Sequence, residues 1–98
     1  SASVVNETGD ITIAVDTIDR LAPDATFIKL DLEGWELNAL MGAESTILRN
    51  KPKLAIGAYH HPDDFLKIYR WVTTLRPDYR VSVRHYTESW TETVLYFY

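Results

Sequence analysis

The sequence contains no cysteine and very little glycine, and both shortages exclude particular kinds of chemistry. Without cysteine there is no disulfide framework, no thiolate nucleophile and no cysteine-ligated zinc site. This absence fits a cytoplasmic protein, which is the location we expect. The four glycines, Gly9, Gly34, Gly42 and Gly57, are too far apart to form a glycine-rich nucleotide loop. The sequence also lacks a Walker motif, a Gly-x-Ser-x-Gly elbow and a His-Glu-x-x-His helix.

Long apolar runs and clusters of positive charge are missing as well. No run approaches the ~20 apolar residues of a membrane span, and the first residues do not form a signal peptide. The formal net charge is −4, and no stripe of Lys or Arg follows a candidate helix. We therefore expect neither a membrane nor a nucleic acid among the partners of the protein.

What the chain does contain is enough for one small globular domain. Its 98 residues are 46% hydrophobic and 24% charged, and a chain of this composition is not expected to be extensively disordered. We expect a single domain over residues 1–98. Residues 1–10 are polar and show no periodicity, so we expect that segment to be flexible.

Short apolar segments alternate along the chain with segments of helical periodicity. We predict strands over 11–15, 27–32, 54–59, 79–85 and 93–98, and helices over 16–21, 35–49 and 62–75. The runs 27–32 and 54–59 are nearly continuous in apolar residues, which is typical of strands covered on both faces. The alternation predicts an α/β fold with a mostly parallel sheet, and the short last link predicts a C-terminal antiparallel hairpin.

The predicted helix over 35–49 has a clear apolar side. Leu37, Leu40, Met41, Ile47 and Leu48 share that side, whereas polar residues such as Glu36 fall elsewhere. Asn50-Lys51-Pro52 is expected to end the helix.

Polar residues follow the two apolar strands, where ligands bind in open parallel sheets. Asp31, Glu33 and Gly34 follow the first strand, and His60, His61, Asp63 and Asp64 follow the second. If the strands are adjacent, these residues converge on one edge of the sheet. Each also has a simpler explanation: the carboxylates can cap helices, Gly34 can serve a tight turn or close packing, and the histidines can be structural or exposed.

The segment Lys29-Leu30-Asp31-Leu32-Glu33-Gly34-Trp35-Glu36 resembles the Lys-hydrophobic-Asp-hydrophobic-Glu-Gly-x-Glu segment of FkbM-type methyltransferases. Four further segments are similar to the family in the same order. They are Val15 to Asp19, Met41-Gly42-Ala43, Lys51 to Asp64, and the pair Arg84-His85-Tyr86 with Glu92 to Tyr96. The similarity covers roughly residues 12–98.

The resemblance implies the C-terminal half of a class I methyltransferase fold, a Rossmann-like sheet that is mostly parallel. It also implies S-adenosylmethionine as the cofactor and methyl transfer to a hydroxyl oxygen of a small molecule or sugar. Asp31, Glu33 and His60 are the implied catalytic residues, with Asp31 or His60 as the base, and Asp31 and Gly34 are the implied cofactor contacts. The cofactor loop of the family is absent from these residues, so we expect the chain alone to be inactive.

Other interpretations of the sequence stay open. The chain could be a non-catalytic interaction module derived from the same fold, or a metal-dependent hydrolase that uses Asp31, Glu33 and the segment 60–64, although no complete set of metal ligands is visible. For the methyltransferase half, the strands missing from these residues leave an exposed sheet edge, so we expect a homo-oligomer formed through that edge.

Overall fold

The computed structural model describes residues 17–58, 62–86 and 92–98 of the protein. Their helices are α1 (Ile18–Leu21), α2 (Glu36–Met41), α3 (Glu44–Asn50) and α4 (Pro62–Leu75). Their strands are β1 (Phe27–Leu30), β2 (Lys53–Gly57), β3 (Val81–Tyr86) and β4 (Glu92–Phe97). The predicted strand over 11–15 and the flexible segment 1–10 lie outside the described residues.

Most of the predicted elements are confirmed within one to three residues at their ends. Thr17 caps α1, and its side-chain oxygen accepts a hydrogen bond from the Arg20 amide at 3.3 Å. Pro62 begins α4, where its missing N–H costs no helical hydrogen bond. The helix ends at Leu75, before Arg76 and Pro77.

The described strands form one mixed sheet in the order β1-β2-β4-β3. β1 pairs with β2 in parallel, from Phe27 opposite Lys53 to Leu30 opposite Ile56. β4 is antiparallel to both β2 and β3, so β3 runs in the same direction as β1 and β2. The C-terminal hairpin is therefore confirmed, and three of the four strands run one way, but only one of the three ladders is parallel.

The prediction of one helix over 35–49 is wrong, because the chain breaks at Gly42 into α2 and α3. The Gly42 carbonyl accepts a hydrogen bond from the Asp19 amide at 2.8 Å, and a Cβ at Gly42 would stand 3.1 Å from Thr17 Cβ. α1 thus packs closely against the chain at Gly42, where the helix breaks. As a result Leu40 and Ile47 are buried, whereas Met41 and Leu48, expected on the apolar side, are about half exposed.

The core lies on one face of the sheet. The part of it here called the covered face belongs to β1, β2 and β4 and includes Ile28, Leu30, Leu54, Ile56, Leu95 and Phe97, which pack in one cluster with the helix residues Leu40, Ile47, Ile68 and Val72. Val83 of β3 lies on the same side but is 47% exposed. The opposite face, here the open face, consists of Phe27, Lys29, Lys53, Ala55, Arg84, Tyr86, Val94 and Tyr96 by register.

The expectation that the first apolar strand is covered on both faces is wrong. Along β1, Phe27 and Lys29 are exposed while Ile28 and Leu30 are buried. In β2 the prediction holds better, since Leu54 to Gly57 are all buried. The central residues of the open face, Ala55 and Val94, are small and enclosed by their neighbours, whereas its outer strands are exposed.

Candidate functional site

The two candidate segments follow strands that end at the same edge of the sheet. Because β1 and β2 are parallel neighbours, their carboxyl ends meet, and Asp31 follows the first of them directly. α2 and α4, which begin beyond these two strand ends, are in contact. The structure therefore supports the predicted proximity of the two segments. His60 and His61 lie outside the described residues.

Asp31, Glu33, Gly34 and Trp35 are all exposed at this edge, as is Asp63 at the start of α4. An exposed carboxylate at a strand end can accept a hydrogen bond or a proton from a ligand that docks there. Among residues 17–58, 62–86 and 92–98, no three His, Asp or Glu side chains are grouped so that they could hold a metal ion.

The chain turns sharply between Leu32 and Trp35. Glu33 has φ of 52° and Gly34 has φ of 105°, so two successive residues have a positive φ. The Trp35 amide donates to the Leu32 carbonyl at 3.3 Å and closes the turn. A Cβ at Gly34 would meet no atom within 4 Å, so backbone conformation, not close packing, selects this glycine.

Glu36 holds this turn from beneath. Its side chain is 2% exposed, and its two carboxylate oxygens accept from backbone amides. Oε2 accepts from the Leu32 amide at 2.6 Å, and Oε1 accepts from the Gly34 amide at 3.0 Å. A left-handed conformation at a residue such as Glu33 costs on the order of 1–3 kcal/mol. Two charge-assisted hydrogen bonds, worth about 1.5–3 kcal/mol each, are sufficient to offset it.

The sequence did not identify Glu36 as part of the site, because helical periodicity placed it on the polar side of a helix. The signal that could have identified it is its position two residues after Gly34 in the segment that resembles the FkbM family. The N-cap position of α2 is Trp35, whose side chain makes no capping hydrogen bond. The carboxylate that satisfies backbone amides in the turn is thus Glu36, whereas the sequence had offered Asp31 and Glu33 for capping.

A separate groove of about 400 Å³ lies on the open face, away from this turn. Aromatic and basic side chains line it, among them Phe27, Lys53, Arg84, Tyr86 and Tyr98. The hydroxyls of Tyr86 and Tyr96 lie 3.0 Å apart beside it. Nothing in the sequence indicates this groove, because its residues come from four different strands and only the sheet brings them together.

The part of the chain that the structure describes contains no helix long and apolar enough to cross a membrane. No curated protein sequence matches the chain. The family model of the methyltransferase FkbM domain matches residues 1–86.

Among solved structures, the chain is similar to the crystal structure of methyltransferase FkbM from Methylobacillus flagellatus KT. The two are 51% identical, with a TM-score of 0.74 over 83% of this chain. The match covers 22% of that structure's chain, so these residues correspond to about a fifth of the relative's length. The family match over most of the chain and this identity lead to one conclusion: the chain belongs to the FkbM methyltransferase family.

Proposed function

We propose that these residues form the C-terminal part of a methyltransferase that transfers a methyl group from S-adenosylmethionine to a hydroxyl oxygen of a small molecule or sugar. The observation that carries this proposal is the turn from Asp31 to Glu36 in a member of the FkbM family. It stands at the carboxyl end of β1, beside the end of the parallel strand β2. Ligands bind at such strand ends in open α/β sheets.

The proposal extends to the fold class. An antiparallel strand, β4, lies between two strands of the opposite direction in a sheet that otherwise runs one way. This arrangement supports the C-terminal part of a Rossmann-like, class I methyltransferase sheet. A cytoplasmic location, expected from the lack of cysteine, belongs to the same proposal.

The residues that follow β1 leave room for a ligand and offer it polar groups. Gly34 leaves open space where a side chain would stand, so a ligand can approach the backbone of the turn. Asp31 and Glu33 are exposed beside it. When bound, S-adenosylmethionine supplies an electrophilic methyl group, and transfer to oxygen then depends chiefly on alignment.

The role we propose for Asp31 is to accept the proton of the acceptor hydroxyl as the methyl group is transferred. His60 is the other candidate for this base. Glu33 would orient one of the substrates, and Asp31 and Gly34 would contact the cofactor. Since the four glycines are far apart, the 98 residues alone are expected to bind S-adenosylmethionine weakly and to be inactive.

The test uses the complete gene product that contains these residues. We expect it to convert S-adenosylmethionine to S-adenosylhomocysteine in the presence of hydroxylated acceptors, measured by chromatography. Asp31→Asn should lower kcat by about 10²–10⁴-fold, because the amide cannot take the proton. Asp24→Asn, an exposed carboxylate between α1 and β1, is the matched control and should leave kcat unchanged.

Three outcomes would each contradict a different part of this proposal. No S-adenosylhomocysteine from the wild-type protein with any acceptor would contradict methyl transfer. A wild-type rate for Asp31→Asn would remove Asp31 as the base and leave His60. Micromolar binding of S-adenosylmethionine to the isolated 98 residues in calorimetry would show that the cofactor site is complete within them.

A second proposal is an interaction module, and the open face favours it. Phe27 is 57% exposed there, beside the exposed residues Lys29, Lys53 and Arg84, on a protein whose formal net charge is −4.

Within the described sheet β1 is an edge strand, and such edges recruit further strands. A homo-oligomer that forms through this edge would give a sedimentation coefficient that rises with concentration. A constant monomer value would contradict it.

A further inference from the structure

We infer that Glu36 is a positioning residue, which sets the backbone directions of Asp31 and Glu33 and does not itself contact a ligand. The side chain is almost fully buried, so a bound substrate cannot reach it without displacing the turn. Both of its carboxylate oxygens are occupied by backbone amides of the segment that carries the candidate site.

The two hydrogen bonds select particular peptide groups. The Leu32 amide belongs to the peptide group that follows Asp31, and the Gly34 amide belongs to the one that follows Glu33. One carboxylate that binds both amides fixes the orientation of these two planar peptide groups. Their orientation in turn determines the backbone conformations of Asp31 and Glu33. Glu33 is then kept at its φ of 52°, a conformation that few non-glycine residues adopt.

An ordinary helix cap does not account for this geometry. A capping side chain accepts from amides within the first turn of its helix, whereas Glu36 bonds backward to two residues that precede α2. Glu44 provides the internal comparison, because it is likewise the first residue of a short helix, α3. Glu44 is exposed, so a first-position glutamate is not buried merely because of its place in a helix.

The consequence for catalysis rests on the proposed function. Groups that align two reactants must be placed accurately, and a displacement of about 1 Å can cost on the order of 10²-fold in rate. Release of the turn should therefore lower kcat, since Asp31 and Glu33 would no longer be aligned. Substrate binding through other parts of the protein should be affected far less.

The first experiment does not depend on any activity. It compares amide hydrogen exchange in wild type, Glu36→Gln and the control Glu44→Gln by NMR on the 98-residue chain. Glutamine has the same shape but presents an NH₂ group to one of the two amide donors. We expect exchange at Leu32 and Gly34 to accelerate by at least about tenfold in Glu36→Gln, with sheet amides such as that of Leu95 unchanged.

Further spectra of the same samples give the HN–Hα coupling and the intraresidue HN–Hα NOE of Glu33, which together distinguish a positive from a negative φ. We expect the left-handed value in wild type and in Glu44→Gln, and its loss in Glu36→Gln. Unchanged exchange at both amides together with an unchanged Glu33 coupling would overturn the inference. If Glu36→Gln does not fold, Glu36→Asp tests the same point, because it keeps the charge but is too short to bond both amides.

The second experiment measures kinetics in the complete gene product. Glu36→Gln should lower kcat by about 10²-fold and raise KM for S-adenosylmethionine by much less, under about tenfold, because Asp31 and Gly34 supply only part of the proposed cofactor contacts; Glu44→Gln should change neither. A released turn with a wild-type kcat would overturn the positioning role. If the wild-type protein transfers no methyl group, the proposed function fails, and the exchange experiment still decides whether Glu36 holds the turn.

Discussion

The two faces of the sheet differ sharply although both are rich in apolar residues. On the covered face, Leu54, Ile56, Leu95 and Phe97 are each at most 1% exposed. On the open face, Phe27 is 57% exposed and Tyr86 is 44% exposed. The same strands supply both faces, so the difference arises from the helices that pack on one of them. Apolar composition alone therefore does not show which side of a strand contributes to stability.

Phe97 and Phe27 test this difference most directly, because they are the same residue type on opposite faces. Phe97→Ala should lower the free energy of unfolding by about 3–5 kcal/mol, since it removes buried surface and leaves a cavity. Phe27→Ala should cost less than about 1 kcal/mol, because most of its side chain is already in water. Urea denaturation of the two variants measures both values. Equal losses would mean that the open face is covered in solution.

Tyrosine hydroxyls give a second comparison. Tyr79 belongs to the core cluster, and its hydroxyl donates to the Pro52 carbonyl. Tyr79→Phe should lower the free energy of unfolding by about 1–3 kcal/mol, because the variant leaves a buried carbonyl without this donor. Tyr86→Phe removes a hydroxyl contact on the open face and should stay within about 0.5 kcal/mol of wild type. A larger loss for Tyr86→Phe than for Tyr79→Phe would reverse the ranking of the faces.

The ionisation of Tyr79 should show the same burial. Burial raises the pKa of Tyr79 from 10.0 to about 12. A folded-state pKa above the unfolded value gives stability that is complete below pH 10 and is lost as the pH rises toward 12. An alkaline absorbance titration of wild type and Tyr79→Phe checks this. If wild type and Tyr79→Phe show the same number of late-ionising tyrosines, the assignment to Tyr79 is wrong.

Element order and type could be predicted from the sequence, because apolar runs and helical periodicity are local signals. The side of β1 that is covered could not, since Phe27 and Ile28 are equally apolar and only the position of the helices distinguishes them. The break at Gly42 depends on Thr17 and Asp19, which lie far earlier in the chain, so no local pattern contains it.

The candidate site was predictable to a similar extent. Asp31, Glu33 and Gly34 could be located, because a strand-end rule and a family segment both point to them. The role of Glu36 depends on hydrogen bonds that reach back two and four residues into a turn, and its helical position favours the opposite interpretation. Burial of a charged residue is a three-dimensional property that the one-dimensional pattern did not reveal.

Among the contacts on the covered side of the sheet, the smallest predicted loss concerns Asp19, which joins α1 to α3. Its carboxylate accepts from the amides of Ser45 and Thr46 and from the Thr46 hydroxyl at 2.8 to 3.1 Å. Partial burial acts to raise the pKa of Asp19, but the hydrogen bonds from Thr46 and Ser45 outweigh it and hold this pKa below 3.8. At neutral pH, Asp19→Asn should lower the free energy of unfolding by about 1 kcal/mol, because the amide lacks the charge and one of the two acceptor oxygens.

The pH dependence of this loss distinguishes a charge effect from a packing effect. Because the folded-state pKa is depressed, the contribution of Asp19 is complete above pH 3.8 and decreases as the pH falls through the lower, folded-state value. The stability difference between wild type and Asp19→Asn should therefore shrink in acid. A difference that stays constant down to the acid limit would mean that the asparagine side chain of the variant packs less well than the aspartate. In that case the carboxylate charge would not be what attaches α1 to α3.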